Sequence, residues 1–196
     1  MKKWSIVQVT VGLSIMIFLS FFMVLGFNEV STREAIKWSA RISFLLFCSA
    51  FVASSLHHLL QNIFSAWLLT NRKYIGISFA IIHLIHLKFL LILQYYFHPV
   101  FDLAAKTSIA AGSIAYLFIV LMLLTSFSFF AQYLTTRQWK ILHTVGGYWI
   151  WSIFMSSYWK RSLTESAHIP LVVILVVVLI LRIWYFVSKR RSPTIE

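Results

Sequence analysis

The chain has 196 residues, of which 60% are hydrophobic and 11% charged, against roughly 45–50% and about 25% in ordinary soluble domains. A fold of this length cannot hide so much apolar surface from water, so the composition excludes a soluble domain and points to a lipid bilayer. The formal charge of +12 comes from basic residues set singly or in pairs between apolar runs, which builds no face for nucleic acid and suits anionic lipid headgroups instead.

Taken in chain order, six apolar runs are long enough to cross about 30 Å of hydrocarbon at 1.5 Å per residue. They lie near residues 5–27, 42–68, 74–97, 108–131, 139–159 and 169–188. The predicted architecture is therefore all-α, a single transmembrane domain over 1–196 built as a bundle of six spanning helices. The first run follows Lys2 and Lys3 but is too long for a signal-peptide core and shows no small-residue cleavage site, so it is read as a retained helix. FNEVSTREAIKW, TNRK, FHPVFD, TTRQ and WKRSLTESAHIP hold most of the charges and are the expected connections. Cys48 stands alone, so there is no disulfide framework.

Six spans place Lys2, Lys3, Arg72, Lys73, Arg137, Lys140, Arg182, Lys189, Arg190 and Arg191 on one side of the membrane. Arg33, Lys37, Arg41, Lys106, Lys160 and Arg161 fall on the other. The excess of positive charge lies on the side that holds both termini, which predicts that both are cytoplasmic. Trp4, Trp38, Trp67, Trp139, Trp159 and Trp184 sit near the run ends and are expected to anchor the helices at headgroup level.

An ionisable group within a span is costly and marks function by default. All five acidic residues, Glu29, Glu34, Asp102, Glu165 and Glu196, fall in expected loops or the tail. That disfavours a cation-coupled transporter, which keeps a carboxylate at mid-membrane. The runs bury histidine instead: His57 and His58, His83 and His86, and His143. Neutral imidazole is cheaper to bury than a charge and suits a transition metal. At i and i+3, His83 and His86 share one helix face. Two imidazoles on one helix cannot reach both sides of one haem iron, so a second helix must supply the partner. Counting from the presumed cytoplasmic edge puts His86 at about 17 Å, His57 and His58 at about 15–17 Å, and His143 at about 3–6 Å. Each histidine alone could equally hydrogen-bond a neighbouring helix. Lys88 is read as snorkelling, and His98 and His168 as solvated loop residues. Gly146 and Gly147 allow close helix approach or room for a flat group.

The stretch TNRKYIGISFAIIHLIHLKFL, residues 70–90, resembles the basic turn, glycine and histidine helix of the ferric reductase-like transmembrane domain family, through Arg72, Lys73, Gly76 and His86, with His83 giving an HxxH form. Residues 125–151, TSFSFFAQYLTTRQWKILHTVGGYWIW, resemble that family's next histidine helix through Trp139, Leu142 and His143. Arg41 in WSARISFLLF fits as well, and the likeness covers about 38–184. The resemblance implies haem b ligated by His86 and His143, with His83, His58 or His57 as further candidates and Arg72, Lys73 and Arg41 near its propionates. It also implies electron transfer to a partner protein or an oxidised substrate. The family includes the short bacterial inner-membrane subunits that pass quinone-derived electrons to a methionine sulfoxide reductase. One departure stands out: where such members carry a histidine thirteen residues after the WxxLH histidine, this chain has Ser156, so a second haem is not expected on the same terms. Met155 and Tyr158 stand beside that gap. After residue 188 only SKRRSPTIE follows and no GxGxxG is present, so electrons are expected from a quinone or a separate reductase. The alternative is a haem-free membrane scaffold or assembly factor that keeps the fold.

Overall fold

Asparagine decides where the two longest helices begin. After α1 (Lys3–Leu25) the chain reverses through Gly26 at φ 74°, and Asn28 opens α2 (Glu29–Leu60). The Asn28 side chain accepts from the Ser31 amide at 2.9 Å while the Ser31 hydroxyl accepts from the Asn28 amide at 3.2 Å. The same reciprocal pair, Asn62 with Ser65, opens α3 (Ile63–Phe97) directly after Gln61 has turned the chain in the left-handed region. These boxes occupy amides that the first helical turn leaves without partners. Replacing Asn62 by alanine is expected to cost about 1 kcal/mol, read as a lowered unfolding midpoint in detergent.

The computed structural model describes residues 3–98 and 103–191, with side chains described except at 103–109 and 190–191. Lys2, Asp102, Glu196 and the part of the FHPVFD connection at 99–102 lie outside the described residues, and Lys106, Arg190 and Arg191 are placed by their main chain only. The remaining elements are α4 (Leu103–Leu124), a short α5 (Ser128–Ala131), α6 (Thr136–Ser162), one 3-10 turn (Ser166–His168) and α7 (Ile169–Arg191). Among the described residues no strand occurs, so the all-α reading holds. The helices at Lys3–Leu25, Glu29–Leu60, Ile63–Phe97 and Ser166–Lys189 are long and apolar enough to cross a membrane, and Ala110–Leu124 is a shorter apolar stretch.

Several sequence-based boundaries are corrected. TNRK is not a connection: residues 70–73 lie inside α3, where Thr70 Oγ1 and Asn71 Nδ2 donate back to the Ala66 and Trp67 carbonyls at 2.8 Å each. Basic residues alone do not end a helix; the asparagine box about ten residues earlier does. As a result α3 has 35 residues and runs about 52 Å, well beyond a hydrocarbon core. His57 and His58 are moved from mid-bundle to the last turn of α2. Most of FNEVSTREAIKW is the start of α2. The run at 108–131 stops as a long helix at Leu124.

Side-chain pairs fix the topology. His86 with Ser39 and Arg72 with Ser54 make α2 and α3 antiparallel, and Trp4 with Tyr74 and Phe18 with Phe89 set α1 parallel to α3. Thr125 meets His143 across α4 and α6, and Trp151 donates to the Leu175 carbonyl across α6 and α7. Sequential helices thus alternate in direction. The start of α1, the α2–α3 turn, the α4–α6 connection and the end of α7 share one end of the bundle, called the terminal end below.

Serine lets α2 and α3 approach most extensively of all helix pairs, with Ser39, Ser43, Ser55, Ser65 and Ser78 fully buried. The largest core cluster gathers Phe44, Phe47 and Phe51 of α2, Phe79 of α3, Ile119 of α4, Ile150 and Phe154 of α6 and Leu175 of α7. The six tryptophans expected as anchors are all exposed.

Candidate functional site

Near the terminal end the helices part around a cavity of about 720 Å³, within the usual range for small-molecule sites. Phe47 and Phe51, Phe79 and Ala80, Ile119 and Met122, and Gly147 give it apolar walls. His143 lies on the wall, and Arg72, Lys73, Lys140 and Arg182 also reach it. None of its described lining residues is acidic. Glycine makes the room: a Cβ at Gly147 would sit 3.3 Å from the Phe51 ring, and one at Gly146 only 2.7 Å from Met122 Sδ.

His143 is held from two directions. Thr125 Oγ1 donates to the Leu121 carbonyl at 2.7 Å, so at 3.2 Å from His143 Nε2 it accepts the imidazole proton. That leaves Nδ1 as the nitrogen with a free lone pair. Trp139, one turn earlier on α6, stacks on the imidazole at 4.1 Å between centroids and donates from its indole to the Thr125 carbonyl at 3.1 Å. The WxxLH spacing and the Thr-Ser at the end of α4 therefore have a physical reason: together they orient one ring.

The other histidine pair lies elsewhere. His83 packs on Phe154, eleven residues after His143 on α6, which separates the two by about 16 Å along the helix. His86 is farther still. The structure does not bring His86 and His143 to one site. Ser39 and Ser43 donate to the carbonyls of Ile36 and Ala40, so each accepts from an imidazole, His86 Nδ1 at 2.9 Å and His83 Nδ1 at 2.9 Å. The rings stack on one another at 5.1 Å, and Tyr116, Phe79 and Phe154 close around His83 at 5.2, 5.5 and 5.5 Å. Aromatic side chains thus pack directly against His83.

Ser156 is exposed, so on α6 the interior positions at this level belong to Phe154 and Tyr158. Arg41 lies toward the His83 end, over the Trp38 ring at 5.5 Å, and does not line the cavity. His57 and His58 border a second, more polar recess with Ser54, Gln61, Leu69 and Tyr185. His57 Nδ1 is 3.2 Å from Ser65 Oγ and His58 Nε2 is 3.4 Å from Ser188 Oγ. His168 is not solvated as expected: it is 6% exposed, stacked on Tyr158 at 6.0 Å, with Nδ1 3.4 Å from Glu165 Oε2.

Sequence reasoning missed Thr125 as the orienting partner and Arg182 as a cavity residue. Arg182 was counted with the charges at the membrane edge, yet it interrupts an apolar helix thirteen residues after Ile169, about 20 Å along it. A lone arginine in such a run was the available signal. No family model matches the chain, and no curated protein matches it significantly.

A haem would find at this cavity one oriented imidazole, aromatic and aliphatic walls for the macrocycle, and cationic groups for its carboxylates. His143 would hold such a group, with Arg72, Lys73, Lys140 and Arg182 for its carboxylates. No second histidine lines the cavity among the described residues.

Proposed function

We propose that the chain is a six-span protein of the bacterial inner membrane, both termini cytoplasmic, that holds one haem b in the cavity beside His143 and carries single electrons to a partner. The antiparallel placing of α4 and α6 within the same bundle as the four long apolar helices supports six spans, since both share the core cluster with α2 and α7. Among the described residues, Lys3, Arg72, Lys73, Arg137, Lys140, Arg182, Lys189, Arg190 and Arg191 lie toward the terminal end and Arg33, Lys37, Arg41, Lys88, Lys106, Lys160 and Arg161 toward the other, an excess that supports the orientation.

The observation that carries the reading is the oriented imidazole on the wall of an apolar cavity of about 720 Å³. Its likeness to the ferric reductase-like histidine helix points the same way. When bound, the iron supplies the one-electron redox change. The chain's own part is to present His143, keep water from the aromatic walls and hold the carboxylates. A single binding level agrees with Phe154 and Tyr158 filling the interior at the other histidine pair.

Electrons come from a quinol or a separate reductase, and the acceptor is a partner protein or an oxidised metal or small substrate. A quinol analogue added to protein in vesicles is expected to convert the oxidised absorption spectrum to the reduced one within seconds to minutes. A haem-loaded protein that neither a quinol nor a soluble reductase reduces contradicts the electron-transfer reading. The same packing around His83 also suits a scaffold that retains the fold without haem, and protein isolated colourless after expression with ample haem supports that reading instead.

A further inference from the structure

Four cations reach one cavity that no described carboxylate lines. The three acidic residues among the described side chains are committed elsewhere: Glu29 to Arg33 at 2.6 Å, Glu34 to Lys37 at 3.2 Å and Glu165 to His168 at 3.4 Å. Arg72 and Arg182 both line that cavity. Gathering guanidiniums around one apolar cavity away from bulk water is unfavourable unless an anion joins them.

Their present contacts position them without neutralising them. Arg182 Nη1 donates to the Phe51 carbonyl at 2.9 Å, and its guanidinium lies over the Phe51 ring at 4.4 Å and near the Tyr148 ring at 5.9 Å. Arg72 Nη1 donates to Ser54 Oγ at 3.2 Å. Each guanidinium has five N–H donors in a planar fork, so most remain for a ligand. Stacking on Phe51 fixes the plane of Arg182, which suits a bidentate partner.

We infer that Arg72 and Arg182, flanked by Lys73 and Lys140, form a subsite for a dianionic head on an apolar body, with Arg182 as the positioning residue. On the haem reading, on which this assignment of ligand rests, the head is the pair of propionates; the same chemistry is offered by the phosphate of an acidic lipid.

Iron-free protoporphyrin IX and its dimethyl ester separate charge recognition from iron ligation. Fluorescence titration of the full chain in phosphatidylcholine nanodiscs is expected to show the diacid binding about tenfold more tightly than the diester. Arg182→Gln is expected to erase that preference and leave diester binding in place, with Arg182→Lys restoring part of it. His143→Ala, which changes the cavity wall, is expected to weaken diacid and diester alike and so to keep the preference between them, which keeps a failure at the imidazole distinct from one at the arginines. Equal affinities of diacid and diester for the wild type, or a preference that survives Arg182→Gln, overturns the subsite. If neither porphyrin binds, protein purified from phosphatidylglycerol vesicles decides. Bound phosphorus lost on Arg182→Gln upholds the subsite with a lipid occupant and sinks the haem reading, and bound phosphorus unchanged by it sinks both.

Discussion

Purified His143→Ala is expected to lose the Soret absorbance of the wild type, whereas His83→Ala and His86→Ala keep it. Removing a partner that merely orients a metal ligand costs about 10–100-fold in affinity, and removing the ligand itself costs at least as much. His143 is the histidine on the cavity wall, fixed by Thr125 and Trp139. His83 and His86 are engaged by Ser43 and Ser39 and enclosed by Tyr116 and Phe154. Haem content per polypeptide, measured beside the spectrum, separates loss of the group from a change in its ligation. Loss of the Soret band in His86→Ala with retention in His143→Ala would reverse the assignment and return the site to the other end of the bundle.

Gly147→Leu is expected to lower bound haem by about tenfold or more while the helical bundle survives. Gly147 lines the cavity, and a Cβ there meets the edge of Phe51 at 3.3 Å, close enough to need only a small shift of the ring. The rest of a leucine side chain then takes up cavity volume that a planar ligand needs. Small-to-large changes of this kind cost about 1–3 kcal/mol when the surroundings are tightly packed, and the adjoining cavity should keep the cost at the lower end. Circular dichroism gives the helix content and a melting curve the stability. Unchanged haem content with normal folding would place the ligand outside this cavity.

Much of the bundle was legible because apolar runs report helix existence well. The positions of the turns were not, because charge was used as the marker. Arg72 and Lys73 look like a loop when read as charges, but a helix ends where capping groups replace its missing partners, and Asn62 with Ser65 supplies them. That error also shifted His57 and His58 toward mid-bundle. At the site, His143 and Trp139 stand out through the resemblance to the family's WxxLH motif. Their third partner, Thr125, lies eighteen residues earlier on another helix, and only packing brings it to the imidazole. His86 is paired with His143 by the resemblance alone, whereas the depth count sets the two at different levels, and the structure keeps them apart. Phe154 carries no mark in the sequence and Tyr158 stands there only beside the gap at Ser156, yet both are buried. Ser156, which marked a missing ligand in the motif, faces outward and leaves no gap in the core.

The visible spectrum of the full chain, purified in mild detergent from cells supplied with haem precursor, tests the central claim most directly. The account predicts a Soret band that shifts on reduction and a haem-to-polypeptide ratio near one. A colourless protein that keeps its helix content and takes up no haem on titration would contradict it.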